Sequence, residues 1–204
     1  MKGPSASGYA GAGVRLGIKL WRMSRERYDR IISKGLFDSD DSLELLDGLL
    51  VERERQTPLH ASAGLAAHAV LERAFERRYY ARSHHPVALD DMSEPEPDVA
   101  IVAGGPRDYM DAHPSKPALI VEVADESLAK HRFFKGALYA RAGIADYWVV
   151  NLVDEVLEVY REPVRAPSRR YWWKYGSVKL LKRGAKVAPL AAPRARVRVA
   201  ALLP

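Results

Sequence analysis

The 204-residue chain contains no cysteine. That excludes a disulfide framework, thiolate chemistry and any zinc site built on cysteine, and it fits a cytoplasmic setting. No run approaches the ~18 apolar residues of a membrane-spanning helix. The first twenty residues, MKGPSASGYAGAGVRLGIKL, lack the continuous apolar centre of a secretory signal. Their Gly, Ala and Ser content marks residues 1–20 as a flexible N-terminal tail, leaving 21–204 as a single domain with one core. Acids are scarce in one region only. From Arg161 onward there are twelve Lys or Arg against the single Glu162, so that part carries +11 and the remainder −5 within a net charge of +6. Such a split suits a polyanionic partner at the C-terminal part; the plain alternative is a solvated basic edge that aids solubility.

What is present reads as ordinary globular material, 48% hydrophobic. Trp21, Tyr28, Ile31 and Ile32 fall at helical spacing around Ser24, which predicts a helix over 24–34 stopped by Gly35. Asp47-Gly48 between two apolar runs predicts a hairpin. Thr57-Pro58 opens a long amphipathic helix with His60, Ala67, Leu71, Phe75 and Tyr79 on one stripe. Strands are expected near 85–90, 98–103 and 118–124, then a helix over 127–142 stopped by Gly143. Two hairpins follow, turning near 151–155 and at Gly176. The order predicts an α/β (α+β) fold, a mixed central β-sheet flanked by helices with antiparallel hairpins.

Two of these strands carry acids where a buried sheet favours Val or Ile. EPEPDVAIV holds Asp98, and PALIVEVAD holds Glu122 in mid-strand with apolar neighbours on both sides. A lone buried acid is costly unless it is paired or binds a metal. If the strands are neighbours, the two carboxylates converge, and with a carbonyl and waters they form a ligand set that suits Mg²⁺. On the next helix Leu128, Arg132, Lys135, Leu138, Tyr139 and Ala142 share a side, so Lys135 must either snorkel or reach a carboxylate. The bland readings are an Asp98 that ends a loop, a Glu122 that meets an arginine, and a Lys135 whose stem packs while its ammonium reaches water.

These residues carry a resemblance. EPEPDVAIV, ALIVEVADES and LYARAGIADYWVVN, with a lysine between the last two, resemble the Uma2 family, formerly a domain of unknown function within the PD-(D/E)xK restriction-endonuclease-like superfamily. WRMSRERYDRIISKGLF, and LELLDGLLVE followed by a helix from near His60, resemble that family's opening elements, so the similarity spans roughly residues 21–204. It implies a restriction-endonuclease-like fold and metal-dependent phosphodiester hydrolysis, with Asp98 and Glu122 as ligands of Mg²⁺ or Mn²⁺. The superfamily pattern puts a lysine two residues after the glutamate. Ala124 stands there, and the chain resembles variants whose lysine moves to the following helix, where Lys135 matches. His60 looks like a recurrent histidine of the family, and Glu44 of the first hairpin is an accessory candidate, although hairpin acids are more often simply solvated. The chain departs from the family at Asp125-Glu126-Ser127-Leu128, where Ser-Pro-Ser-Thr is usual, and at His131-Arg132, where Asp-Arg is usual.

For a nucleic-acid partner, RARVRVA places Arg194, Arg196 and Arg198 on one face of a strand, able to track phosphates. RRYWWKY interleaves Arg169, Arg170 and Lys174 with aromatics that can stack unpaired nucleotides. Phe133 lies off the Lys135 stripe and, if exposed, points to a homodimer contact. Three classes of function follow. The first is a Mg²⁺-dependent nuclease acting on DNA. The second is a catalytically inactive nuclease-fold module that binds nucleic acid or a protein partner. The third is a hydrolase of a small phosphorylated molecule, against which the basic C-terminal part argues.

Overall fold

Ser24 caps the first helix as its position predicts, its Oγ accepting from Arg27 N at 3.4 Å, and α1 runs Arg25–Ser33. Asp47 and Gly48, with φ of 51° and 78°, join β1 (Leu43–Leu46) to β2 (Leu49–Glu52). A two-residue hairpin with both central residues left-handed is the reason for Asp-Gly there. Thr57 Oγ1 accepts from His60 N at 3.1 Å and starts α2, Pro58–Ala74. This computed structural model describes residues 20–204 apart from 39, 40, 54, 76 and 168–170. The expected N-terminal tail, and Arg169 and Arg170, lie outside the described residues.

The centre is a six-stranded mixed sheet in simple chain order. It comprises β3 (Tyr79–Arg82), β4 (Val99–Ala103), β5 (Leu119–Ala124), β6 (Asp146–Asn151), β7 (Val156–Arg165) and β8 (Trp173–Lys182). Every pairing is antiparallel except β5 with β6. A parallel pair needs a crossover. Here it contains a π-helical turn, Lys130–Lys135, running into α3, Gly136–Arg141. Alternation along β5 sends Leu119, Val121 and Val123 into a core with Ala63, Ala67 and Leu71 of α2. Ile120 and Ala124 pack on the other side with Tyr139 and Ala140 of α3. Glu122 shares that second face.

Four expectations are corrected. No strand spans 85–90, which has only an isolated bridge, Asp90 to Ser93. Its backbone is committed elsewhere, Val87 N to Pro95 O and Ala88 N to Pro114 O, both at 2.9 Å. The strand beside β4 is Tyr79–Arg82, which the helical stripe had absorbed; α2 stops at Ala74 because Phe75 turns extended. Phe75 and Tyr79 still meet edge-on with ring centres 5.3 Å apart, so their side chains pair although their backbones do not share a helix. Gly176 makes no turn. It lies inside β8 beside Glu162, whose φ is 61°, and a Cβ at 176 would sit 3.3 Å from the Glu162 carbonyl oxygen. A glycine in a strand marks close backbone approach as readily as a turn. Finally, RARVRVA yields only a two-residue strand, β10 (Val197–Arg198), paired with β9 (Lys186–Val187). Arg194 and Arg196 are exposed outside it, so the three arginines do not share one strand face.

Candidate active site

The β4–β5 register pairs Val99 with Val121. Continued by one residue, it sets Asp98 across from Glu122, and facing Cβ atoms on antiparallel strands lie about 5 Å apart. Asp98 Oδ2 accepts from Val123 N at 2.7 Å, and Oδ1 lies 2.9 Å from His60 Nε2, from the first turn of α2. His84 Nδ1 stands 3.6 Å from the same Oδ1. The two strand acids therefore converge as the sequence predicts.

Lys135 arrives by a route that helical spacing does not foresee. Gly136 N donates to His131 O, an i→i−5 bond. In a regular helix residues 132 and 135 share a side; the wider π turn rotates them apart. Arg132 goes to Glu158, its Nε 3.0 and 3.1 Å from the two carboxylate oxygens. His131 and Lys135 turn inward instead, 5% and 3% exposed. Lys135 does not snorkel: its Nζ lies 2.6 Å from Glu122 Oε1 and 3.1 Å from Glu44 Oε2. Glu44 is no solvated hairpin acid either. It is 1% exposed, and its Oε2 also accepts from Glu96 N at 3.2 Å. A bridge from Leu45 to Glu94 ties its hairpin to the segment before β4.

Three buried carboxylates, Glu44, Asp98 and Glu122, thus surround one ammonium. Burial alone would drive the Lys135 proton off, but Glu122 and Glu44 hold it, so its pKa is raised. Burial pushes Glu122 up to about 7; Lys135 opposes this, and the Asp98 and Glu44 charges add to it. Burial would also raise Asp98, yet the hydrogen bond and charge of His60 and the Val123 N–H hold it at about 2. For His60, burial is outweighed by its bond to Asp98 and its pKa rises. Burial, then the neighbouring Lys135, takes His131 well below the usual imidazole range, so it is neutral.

Sequence reasoning missed His131, His84 and Ser127. The only available signal was His131 standing four residues before Lys135. Its Nε2 lies 2.9 Å from Ser127 Oγ, while its Nδ1 is buried with no hydrogen-bond partner, 3.6 Å from Glu122 Oε2. Both histidine and serine line the pocket.

Among the described residues no three His, Asp or Glu side chains already form a metal-holding group. The donor chemistry nevertheless fits a divalent cation, because Glu122 Oε2 and the unpartnered His131 Nδ1 face each other in a pocket that Asp98 and Glu44 also line. A second cleft, about 520 Å³, opens on the outer side of the same π turn. Phe133, Phe134, Tyr171, Trp173 and Lys174 line it, and the Phe134 and Tyr171 rings stack 4.9 Å apart.

A family model described as "Putative restriction endonuclease" matches residues 25–188. The chain belongs to the Uma2 family. The matched stretch holds Glu44, His60, Asp98, Glu122 and Lys135 together. A crystal structure described as a "putative nuclease belonging to DUF820", from Anabaena variabilis ATCC 29413, resembles this Uma2 chain with a TM-score of 0.62. The two are 16% identical, with 83% of this chain and 94% of that chain covered, a likeness of fold. None of the curated proteins compared with it matches. The Uma2 chain has a restriction-endonuclease-like α+β fold, and among the described residues no helix is long and apolar enough to cross a membrane.

Proposed function

We propose that this protein is a nuclease that hydrolyses phosphodiester bonds of DNA, with Mg²⁺ or Mn²⁺ held by Asp98 and Glu122 and with Lys135 as the assisting cation. The observation that carries the reading is the buried Lys135 ammonium, 2.6 Å from Glu122, in a pocket that Asp98 also lines. An ion bound there would polarise a phosphoryl oxygen and acidify a water. Lys135 keeps its proton under two carboxylates, so it donates to phosphate oxygens where charge accumulates and does not act as a base. Glu44 anchors the ammonium from the first hairpin, and His60 fixes the orientation of the Asp98 carboxylate.

DNA would be held by phosphate contacts from exposed Lys174, Arg194, Arg196 and Arg198, with Arg169 and Arg170 next to Lys174 in sequence. Contacts of that kind make affinity fall steeply with salt. The aromatic cleft behind the π turn suits an unpaired base. Phe133, 66% exposed, suits a homodimer contact.

Calorimetry with Mg²⁺ or Mn²⁺, followed by cleavage of plasmid DNA, tests the reading. The wild type should bind metal and cut, and Glu122→Ala should do neither. One observation favours a second reading, a catalytically inactive module that binds nucleic acid or a protein partner: Asp98 and Glu122 already have protein partners on their oxygens. A wild type that binds DNA with a steep salt dependence but takes up no metal would support that module instead.

A further inference from the structure

The residue left without a task above is His131. It is 5% exposed, it lines the pocket, and its Nδ1 is buried without a hydrogen-bond partner. An orphaned polar atom in a buried place carries a desolvation cost of roughly 1–3 kcal/mol, so its retention calls for an occupant. The two ring nitrogens are treated differently. Nε2 is engaged by Ser127 Oγ at 2.9 Å, and Nδ1 is turned toward Glu122 Oε2 at 3.6 Å. A metal-binding histidine has this arrangement, one nitrogen held by an outer hydrogen bond that fixes the ring and the other presented bare. The separation is less than twice a typical metal–ligand bond of ~2.1 Å, so one ion can touch both atoms.

We propose that His131 Nδ1 is a nitrogen ligand of the divalent ion, alongside Glu122 Oε2, and that it biases the site toward Mn²⁺ over Mg²⁺. The proposal rests on the metal-dependent reading above and adds a ligand and a selectivity to it. Mg²⁺ takes oxygen donors almost exclusively, whereas a mixed imidazole and carboxylate set favours the softer first-row ions. The backbone supports this placement. The π turn that brings Lys135 inward brings His131 inward as well, and the carbonyl that closes the turn, His131 O, receives both Gly136 N and, at 3.1 Å, Tyr147 OH. Ser127 belongs to the same unit, since its carbonyl accepts from Lys130 N at 2.9 Å and His131 N at 3.2 Å. The histidine is therefore held from its ring and from its backbone.

The test is Mn²⁺ and Mg²⁺ titration of tag-free, chelator-treated protein by calorimetry, with pulsed electron paramagnetic resonance of the Mn²⁺-loaded sample. The wild type should bind Mn²⁺ about tenfold or more tightly than Mg²⁺ and show hyperfine coupling to a directly bound imidazole nitrogen. His131→Asp should lose the coupling and bring the two affinities to within about threefold. His60→Ala and His84→Ala, which remove the two imidazoles beside Asp98, should keep the coupling. Ser127→Ala should weaken Mn²⁺ by about tenfold through the loosened ring. Mn²⁺ binding without nitrogen coupling, or coupling that disappears in His60→Ala or His84→Ala and survives in His131→Asp, overturns the proposal and leaves the nuclease reading standing. No binding of either ion overturns both. A wild-type spectrum without nitrogen coupling overturns the proposal even if a variant fails to fold; with coupling, the His60 and His84 variants, which leave the π turn untouched, assign it to His131.

Discussion

Glu122 and Glu158 occupy matching places in the sheet and behave as opposites. Glu122 pairs across to Val149 on β6, and Val149 pairs onward to Glu158 on β7, so the two acids flank one valine in a single row. Each is 1% exposed. The π turn supplies each with a cation, Lys135 for Glu122 and Arg132 for Glu158. The difference is in what else surrounds them. Glu158 takes a guanidinium fork, Asn151 Nδ2 at 2.7 Å and the Tyr160 hydroxyl, and Asp154, the acid that shares Arg132 and Asn151 with it, is exposed to solvent. Burial would raise its pKa, but those bonds lower it. Glu122 has Lys135 and the Tyr139 hydroxyl but shares its pocket with Asp98 and Glu44, and it rises to about 7. Burial of an acid alone does not mark a functional site. An acid left under-compensated beside other acids does.

The sharpest break in this comparison is in cleavage. Glu122→Gln should reduce metal-dependent DNA cleavage by about a thousandfold or more, the scale on which lost charge stabilisation acts. Glu158→Gln should change it by less than about threefold while costing ~1–3 kcal/mol of stability through the disrupted fork. Rates and urea midpoints measured on both variants check this. Equal losses of rate would mean that the two acids are not functionally distinct.

The acids should also respond to pH with opposite sign. The Glu122 carboxyl binds its proton more tightly in the folded chain than in the unfolded one, about 7 against 4.5. Folding is therefore favoured at low pH, and stability falls as pH rises from 4.5 to 7, by up to ~3 kcal/mol. Glu158 is depressed, so its contribution is present above 4.5 and is lost as pH falls below it. Chelator-treated wild type compared with Glu122→Gln, unfolded in urea from pH 4 to pH 8, should differ by a slope across that upper window. Parallel curves would remove the electrostatic basis of the distinction.

Arg132 offers a smaller effect. Arg132→Ala leaves Glu158 with Asn151 and Tyr160 and should cost ~2 kcal/mol. Because Arg132 and Lys135 belong to one turn, the same change should also move Lys135 and lower the cleavage rate more than the unfolding energy accounts for. Stability and rate measured together separate the positioning effect from global loss.

Much of this was legible in the sequence, and the parts that were not share a cause. Asp98, Glu122 and the caps at Ser24 and Thr57 follow from local rules, strand alternation and first-turn hydrogen bonding, which need no knowledge of neighbours. Lys135 was found on a stripe that also contained Arg132, and the structure sends those two side chains to different acids because one i→i−5 bond alters the phase. A π turn leaves no periodicity signal over six residues. His131 was hidden for the same reason, and Glu44 because the burial of a hairpin acid depends on where the hairpin docks. Tyr79–Arg82 was read as helix because Phe75 and Tyr79 have a spacing that both structures allow.

Glycine offers the finest test of that phase. Gly136 ends the π turn, and a Cβ there would meet His131 O at 3.0 Å and Tyr147 Cε1 at 3.4 Å. Gly64, inside α2, has nothing within 4 Å of its would-be Cβ. Gly64→Ala should therefore stabilise by ~0.4–1 kcal/mol through the unfolded chain, with no change in cleavage. Gly136→Ala gains the same helical preference but must push against a carbonyl that holds the turn open, so a net loss of ~1 kcal/mol is expected. Displacing His131 O relaxes the turn toward ordinary helical phase, which draws Lys135 away from Glu122 and toward the side of Arg132. Cleavage should then fall more than stability does. If Gly136→Ala is as benign as Gly64→Ala in both assays, the π turn is incidental to how Lys135 reaches Glu122.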